Sequence, residues 1–313
     1  MSPFISICIP TYKNASFFKR LMDSIVLQDF KKFEVIISDD SPDDSIAELI
    51  AEYQNNILEL KYIKNDPAKG MPENWNAAIK VAKGTWIKIM HDDDWFESEQ
   101  SLSHFAKVAQ NEAVQFIFSD YINQDLHRGT RQEVKFSKFK LAGLLKNPLK
   151  LMAGNQIGPP SVCMVHRDLA ATYNGDLHWL VDIDYYIQIF MQTSAVFHIA
   201  SPLINIGVNL EQITKAVKNN PEIEIGEAKK LLDNYGTKWV KDLGVYDGWW
   251  RLFRNMHIRS ENELVQYGGA NWPSIFSKMV KQQSMLPVSL LKIGPFSKFF
   301  MFVSYLLQGS NLK

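Results

Sequence analysis

Cysteine is scarce in this sequence, with only Cys8 and Cys163 among its 313 residues. Two cysteines this far apart form no disulfide framework, which fits a reducing compartment. Lysine plus arginine equals aspartate plus glutamate at 34 each, so bulk charge gives no support for a nucleic-acid partner, and we expect none. No apolar run of about 20 residues could form a transmembrane helix, and no basic segment precedes Phe4–Pro10 as in a signal peptide. These absences predict a cytoplasmic globular protein.

Two nucleotide-binding fingerprints are also missing. The sequence contains no Gly-x-Gly-x-x-Gly motif and no glycine-rich loop with a Walker-type lysine, which excludes a typical dinucleotide fingerprint and a P-loop. A phosphate-bearing ligand would therefore need another source of positive charge, such as a metal ion.

Acidic residues are missing from the last part of the chain, although the whole chain is neutral. No Asp or Glu follows Glu263, whereas five lysines do. Residues 285–307 combine lysine with many Phe and Leu residues, and a segment of this composition can lie at the inner face of a membrane. A helix folded back on the rest of the protein and a dimer contact are the alternatives.

Short apolar runs alternate with amphipathic stretches in the first third of the chain. Strands are predicted over 4–9, 33–38, 60–63 and 86–90, with helices between them over about 14–28, 45–55 and 73–83. This alternation predicts an α/β fold with a mostly parallel, Rossmann-like sheet flanked by helices.

Three consecutive aspartates, Asp92–Asp94, follow the last of these strands. They repel one another, so they are either solvated or balanced by a cation, and Mg²⁺ and Mn²⁺ prefer carboxylate oxygen. The pairs Thr11/Tyr12 and Asp39/Asp40 end two other strands, and open α/β sheets bind ligands at this edge. Three polar clusters at one edge predict a nucleotide site with a divalent metal ion.

Four segments occur in an order and at a spacing that resemble a known family. They are Ile-Ser-Ile-Cys-Ile-Pro-Thr-Tyr-Lys-Asn at 5–14, Phe-Glu-Val-Ile-Ile-Ser-Asp-Asp-Ser at 33–41, Asn-Trp-Asn-Ala-Ala-Ile-Lys-Val-Ala-Lys-Gly at 74–84 and His-Asp-Asp-Asp-Trp at 91–95. Over about residues 3–215 the chain resembles family 2 glycosyltransferases of the GT-A fold, of the bacterial surface-polysaccharide or lipopolysaccharide type. The resemblance implies transfer of a sugar from a nucleotide diphosphate to an acceptor hydroxyl, with inversion and usually with Mg²⁺ or Mn²⁺.

The resemblance also implies a set of nucleotide-binding residues at the ends of the first two strands and on the third helix: Pro10, Thr11, Tyr12, Asp39, Asp40 and Asn76. Asp40 matches the aspartate that accepts a hydrogen bond from a uracil or thymine base, which suits UDP or dTDP. UDP is the commoner of the two in the family, so a UDP-sugar is the expected donor. The family usually has an arginine just before the position of Asn76, and this chain has Trp75 there.

In the acidic motif, Asp93 matches the family's principal metal ligand and Asp92 the residue that contacts the ribose. Asp94 is a secondary candidate for the site. The family's first acidic position is occupied by His91, which could supply a polar contact but is not predicted to be a ligand.

A second candidate site lies in the segment 179–188. Inverting transfer needs a general base that removes the proton of the acceptor hydroxyl. Asp182 matches the family's base at the start of a helix, although Val181 replaces the glutamate that usually precedes it, and Asp184 is the alternative. Without the resemblance, these aspartates would be explained by the helix macrodipole.

Asn209, Gln212 and Thr214 resemble the family's closing loop, in which a histidine usually occupies the position of Asn209. We list Asn209 and Gln212 as secondary site candidates. His198 lies in a predicted strand and is expected to be a structural histidine.

We expect a GT-A catalytic domain over residues 1–215, with a nucleotide-binding part to about 120 and an acceptor part over 121–215. Within it, residues 124–150 carry few pattern signals and are interpreted as an excursion on the acceptor side. Residues 216–313 are predicted to be a mainly helical extension, in which tryptophans near 250 serve packing.

The sequence thus predicts a metal-dependent inverting glycosyltransferase that acts on a glycan or a lipid-linked saccharide. A catalytically inactive nucleotide-sugar-binding subunit remains an alternative, because Val181, His91 and Asn209 depart from the family pattern. A sugar nucleotidyltransferase is less well supported, since residues 10–19 lack a basic, glycine-rich triphosphate loop.

Overall fold

The apolar runs near the start of the chain become parallel strands. In the computed structural model, which describes residues 2–208 and 219–308, these are β1 (Ile5–Thr11), β2 (Phe33–Asp39), β3 (Leu60–Lys64) and β4 (Trp86–Ile89). β1 lies between β2 and β4 in the sheet. Every residue of β1, β2 and β4 is buried, because helices cover both faces of such a sheet. This explains why these runs are largely apolar and do not alternate with exposed polar residues.

Helices follow the first strands as predicted, with ends that differ by a few residues. They are α1 (Ala15–Val26), α2 (Ser45–Tyr53), α3 (Glu73–Val81) and α4 (Ser101–Ala109). α1 buries Phe18, Leu21, Met22 and Ile25, which are spaced three or four residues apart and therefore share one face of the helix.

The second part of the sheet is mixed. It contains β5 (Trp95–Phe96), β6 (Phe116–Asp125), β7 (Thr130–Val134), β8 (Cys163–His166) and β9 (Val196–Val208). The order in the sheet is β3-β2-β1-β4-β8-β6-β9-β5, with β7 paired to β6. β8 runs antiparallel to β4 and β6, whereas β6 and β9 are parallel. The predicted α/β, GT-A-like architecture is confirmed, and its first half is fully parallel.

Residues 124–150 contain more regular structure than the sequence indicated. β7 pairs with β6, a helix α5 covers Lys138–Lys146, and a 3₁₀ segment covers Pro148–Ala153. The five residues of β7 are exposed or half-buried, so this strand lacks the apolar alternation by which half-buried strands are recognised.

The C-terminal region is helical, as predicted. After α6 (Val181–Gln192) come α7 (Pro221–Tyr235), α8 (Leu243–Asn255), α9 (Glu261–Gly268), α10 (Ser274–Ser284), α11 (Val288–Leu291) and α12 (Gly294–Gln308). Trp249, Phe253 and Phe276 are buried here and pack edge-on or tilted against Trp272 or one another. None of the helices in the described ranges is both long and apolar enough to cross a membrane.

The described residues form two units, each made from separate stretches of chain. The first comprises the described residues of Met1–Leu141, Gln156–Asp176 and Gln188–Gln212. The second comprises those of Ala142–Asn155, Leu177–Ile187 and Ile213–Lys313. The whole sheet belongs to the first unit, and α7 to α12 belong to the second. The predicted domain boundary at residue 215 stays a prediction.

Candidate active site

The aspartates after β4 form a tight turn in the first unit. The backbone N–H of Asp94 donates to the carbonyl of His91 at 3.1 Å. β9 approaches this turn closely at Gly207, where an added Cβ would collide with the backbone oxygen of Asp93. The N–H of Gly207 also donates to Asp94 Oδ1 at 3.2 Å. The glycine therefore lets the strand hold the turn in place.

His91, Asp93 and Asp94 come together in this turn, with one ligand atom from each lying within 4.8 Å of the others. His91 Nδ1 is 3.9 Å from Asp94 Oδ2. Nε2 of His91 is buried and has no hydrogen-bond partner within the described residues. Burial lowers the pKa of His91 to about 4, so its imidazole is neutral at pH 7 and able to bind a metal.

The carboxylates of the turn resist ionisation. Burial, together with repulsion by Asp93, raises the pKa of Asp92 to about 7. The same two causes raise the pKa of Asp94 well above its ordinary value. A bound divalent cation would relieve this repulsion, and one imidazole with two carboxylates is a donor set that such cations accept. The residues present thus fit a metal ion.

Aromatic rings fix the histidine. The rings of Trp75 and His91 have centroids 4.7 Å apart, and Tyr173 packs edge-on against Trp75 at 5.0 Å. The backbone N–H of His91 donates to Ser161 Oγ at 3.0 Å. Trp75 and His91 are both departures from the family pattern, and the structure brings them into contact.

A buried lysine lies beneath the acidic turn. Lys88, in β4, is fully buried, and its Nζ donates to the carbonyl of Ser161 at 2.6 Å. Burial lowers the pKa of Lys88 to about 7, and Asp94 opposes this lowering. Ser161 in turn hydrogen-bonds Asp94. Lys88 is therefore a positioning residue that supports the segment behind the aspartates.

Asp92 connects the acidic turn to the loop after β1. Its Oδ2 accepts from the hydroxyl of Thr11 at 2.8 Å and from the backbone N–H of Tyr12 at 3.1 Å. The ring of Tyr12 is half exposed. Two of the three predicted strand ends are thus in direct contact, although the ribose contact assigned to Asp92 stays a prediction.

The third strand end carries two buried aspartates. Asp39 accepts from Ser41 N at 2.7 Å and from the Tyr62 hydroxyl at 2.8 Å. These contacts order the turn, and the nucleotide contact assigned to Asp39 stays a prediction. Asp40 Oδ2 accepts from Gly70 N at 2.7 Å, while Oδ1 accepts from Asn65 at 2.9 Å and from Lys69 N at 3.1 Å. Asp40 therefore holds the 65–70 loop by hydrogen bonds. The contact with a base that the resemblance implies for Asp40 stays a prediction.

Two asparagines of α3 make different contacts. Asn76 exchanges two hydrogen bonds of 2.9 Å with the backbone of Tyr173, so it anchors that segment. Asn74 is buried and donates to the carbonyl of Thr11 at 3.3 Å. Asn74, which sequence reasoning did not single out, is the residue of α3 that contacts the end of β1.

The candidate base lies in the second unit. Asp182 Oδ2 accepts from the side-chain amide of Asn155 at 2.9 Å. Burial raises the pKa of Asp182 to about 6. Asp184 is 2% exposed and accepts from the Tyr235 hydroxyl at 2.6 Å. Asp184, the alternative base, is therefore engaged in a hydrogen bond within the protein. Asp182 has a pKa suited to proton transfer near neutral pH.

Glu227 holds the segment before α6. Its carboxylate is 5% exposed and accepts from three consecutive backbone N–H groups, those of His178, Trp179 and Leu180, at 2.8, 2.9 and 2.8 Å. These N–H groups belong to the three residues just before α6, and N–H groups at the start of a helix lack helical partners. Glu227 thus fixes the start of the helix that carries Asp182.

His198 is structural, as expected, since its Nε2 is 2.7 Å from Asp120 Oδ1 and its ring stacks on Phe118. Asn209, Gln212 and Thr214 lie outside the described residues, so their assignments stay predictions.

The sequence of residues 6–172, more than half of the chain, matches the model of the family described as Glycosyl transferase family 2. The chain belongs to this family. This match confirms the family that the sequence motifs predicted.

Two relatives illustrate how far the similarity extends along the chain. An uncharacterized protein of Mycobacterium tuberculosis is 29% identical over 62% of this chain and 64% of its own length. A poly(ribitol-phosphate) beta-glucosyltransferase of Bacillus spizizenii is 27% identical over 72% of this chain and 38% of its own length. The chain thus spans less than two thirds of the length of either relative.

Solved structures share the fold of this chain. Staphylococcus aureus TarS 1–349 in complex with UDP superposes with a TM-score of 0.60 at 16% identity, covering 98% of this chain and 89% of that one. A mannosyltransferase of Pyrobaculum calidifontis in complex with GDP-Man and Mn²⁺ has a TM-score of 0.56 at 15% identity, covering 99% and 88%.

Replacing Glu227 by alanine should destabilise the protein by roughly 3 kcal/mol, because one buried and two part-buried N–H groups would lose their acceptor. A denaturant titration measures this loss of unfolding free energy. Glu222→Ala is the matched control, since Glu222 is exposed on the same helix and should change stability by less than about 0.5 kcal/mol. Equal effects of the two substitutions would contradict the assigned role of Glu227.

Proposed function

We propose that this glycosyltransferase is metal-dependent and inverting, and that it moves a sugar from a UDP-sugar to a hydroxyl of a glycan or lipid-linked saccharide in cell-surface polysaccharide synthesis. The observation that carries the proposal is the turn after β4, in which His91, Asp93 and Asp94 converge beside Asp92 and its contact to Thr11.

The first unit supplies the donor side of the reaction. Asp93 is the principal ligand for Mg²⁺ or Mn²⁺, with Asp94 and His91 completing the set. When bound, such a cation offsets the charge that develops on a diphosphate leaving group. The loop held by Asp92 and the turn held by Asp40 offer backbone and ring contacts to a nucleoside. UDP bound to Staphylococcus aureus TarS and Mn²⁺ bound to the Pyrobaculum calidifontis mannosyltransferase are consistent with this donor chemistry.

Asp182 is the proton acceptor in this proposal. As a carboxylate, Asp182 removes the proton of the acceptor hydroxyl while that oxygen attacks the anomeric carbon. Asn155 orients the carboxylate by donating to Oδ2 at 2.9 Å. A lipid-linked acceptor would bring the enzyme to the inner face of the cytoplasmic membrane, where residues 285–307 could make contact.

An inactive nucleotide-sugar-binding subunit is the second candidate. Val181 and His91 support it, since both replace acidic residues that the family usually has. The family match argues against the nucleotidyltransferase alternative. Binding of a donor without transfer to any acceptor would favour the inactive subunit.

A thermal-shift panel tests the donor site. UDP, dTDP and GDP are compared with and without Mn²⁺. A ligand that binds only the native state increases the free energy of unfolding, by about 2.7 kcal/mol at 100 times its Kd, and so raises the melting temperature. We expect stabilisation by UDP that requires the metal and is lost in Asp93→Ala. Asp44→Ala is the control, since Asp44 is an exposed acid near the same sheet edge. A flat panel, or stabilisation by UDP that ignores the metal, would contradict the proposal.

A further inference from the structure

Helix α12 (Gly294–Gln308) has its polarity reversed relative to an ordinary surface helix. The residues that it buries in the second unit are Ser297, Met301, Ser304 and Gln308. They lie three or four residues apart and so share one face of the helix. Three of the four carry polar side chains, whereas a surface helix normally buries an apolar stripe.

Hydrogen bonds hold this polar face against the rest of the unit. Trp250 Nε1 donates to Ser297 Oγ at 3.1 Å, and Gln308 Nε2 donates to the Tyr246 hydroxyl at 2.9 Å. The hydroxyls of Tyr246 and Ser304 are 2.5 Å apart. Buried polar groups are costly to leave unpaired, so these contacts fix the rotation of the helix.

The outward face of α12 is consequently apolar. Its exposed large side chains, with their exposed fractions, are Phe296 at 51%, Phe299 at 60%, Phe302 at 44%, Leu306 at 60% and Leu307 at 65%. Lys298 is the exposed charged residue among them. Contiguous apolar surfaces of this kind mark interaction sites, whereas scattered exposed apolar residues do not.

The charges of the chain segment that contains this face have one sign. Residues 264–308 contain no Asp or Glu, and their four lysines, Lys278, Lys281, Lys292 and Lys298, are all exposed. Exposed Ile293 and Val288 extend the apolar surface toward Lys292. An apolar surface with a basic margin is complementary to an anionic lipid headgroup layer above acyl chains.

We infer that α12 lies in the plane of an anionic membrane, with Phe299, Phe302 and Leu306 inserted among the acyl chains and Lys292 and Lys298 at the phosphates. The helix has 15 residues, about 22 Å at 1.5 Å per residue, which suits in-plane binding rather than a span. Lipid is favoured over a second copy of the chain because two such surfaces would bring like charges together. The inference specifies the membrane contact proposed above for residues 285–307 and rests on that part of the proposed function. It can be tested independently of the proposed reaction, since binding needs neither donor nor acceptor.

Vesicle flotation without any nucleotide tests this inference. The full chain is mixed with vesicles of phosphatidylcholine alone or with 30% phosphatidylglycerol added. We expect the wild type to bind the anionic vesicles. The double variant Phe299→Glu/Leu306→Glu should lose binding to them by about tenfold or more. Lys292→Gln/Lys298→Gln should reduce binding to anionic vesicles by about tenfold and leave binding to phosphatidylcholine unchanged.

Two controls keep the result interpretable. Leu58 is 99% exposed in the first unit, so Leu58→Glu should bind vesicles like the wild type. Each variant is checked for an unchanged melting temperature, and its mass in solution is measured by light scattering. Absence of wild-type binding, or equal binding by Phe299→Glu/Leu306→Glu, overturns the inference. A wild-type dimer that this variant dissociates, without vesicle binding, also overturns it and assigns the face to a second copy.

Discussion

Asp182→Asn should reduce the turnover of sugar transfer by about 10²- to 10⁴-fold, the range that a general base typically contributes. Asparagine keeps the size of the side chain but cannot accept the proton of an acceptor hydroxyl. Stabilisation by UDP and metal should be unchanged, since Asp182 has no assigned role in donor binding. Turnover is measured with saturating donor, and donor binding is measured by thermal shift.

Asp184→Asn is the matched control, because it removes a carboxylate from the same helix. Asp184 is held by the Tyr235 hydroxyl at 2.6 Å, so this variant should lose stability while keeping most of its turnover. Loss of turnover in Asp184→Asn with full activity in Asp182→Asn would reverse the assignment.

The pH profile gives a second readout of the same base. Burial raises the pKa of Asp182 to about 6, and only its deprotonated form accepts a proton. Turnover should therefore fall as pH decreases through about 6 and be level above about 7. Protonation of Asp92, whose pKa is raised to about 7, would act on the loop after β1 and thus on donor binding. Measuring UDP binding over the same pH range separates the two.

The sheet could be predicted because its signals are local. β1, β2 and β4 are buried along their whole length, and each ends abruptly in polar residues. β7 carries no such signal, since none of its residues is buried, and only its pairing with β6 defines it. Local pattern therefore identified the parallel strands beside the candidate donor site and missed β5, β7 and most of β9.

The contacts that organise the site could not be predicted because they join distant residues. Glu227 holds residues 178–180 from nearly 50 positions away, and Asp92 meets Thr11 across 81 positions. Lys88 did carry a local signal, as a single charge inside the apolar run 86–90. Its partner at Ser161, however, becomes apparent only when β8 is placed beside β4.

The two departures at Trp75 and His91 have a joint physical explanation. The family usually has an arginine at the first position and an acidic residue at the second. In this chain Trp75 and His91 occupy these positions, and the centroids of their rings are 4.7 Å apart. An aromatic contact therefore replaces one positively and one negatively charged side chain. The exchange leaves the sum of charges at the site unchanged and places an imidazole nitrogen beside two carboxylates.

Asp93→Ala should abolish metal-dependent stabilisation by UDP and lower turnover by at least about a hundredfold, because a cation at a developing charge contributes several kcal/mol. Mn²⁺ binding to the free enzyme, followed by electron paramagnetic resonance, checks the loss without relying on activity. Asp44→Ala should bind Mn²⁺ like the wild type. Unaltered Mn²⁺ binding by Asp93→Ala would remove Asp93 from the metal site.

His91→Ala separates the contribution of the imidazole from that of the carboxylates. Mg²⁺ binds chiefly through oxygen, whereas imidazole nitrogen suits transition metals, among which Mn²⁺ is the weakest binder. Removing His91 should therefore weaken Mn²⁺ binding by more than Mg²⁺ binding, and shift the preference of the site toward Mg²⁺. Equal weakening of Mn²⁺ and Mg²⁺ binding would mean that His91 only packs against Trp75 and that Asp93 and Asp94 bind the metal without it.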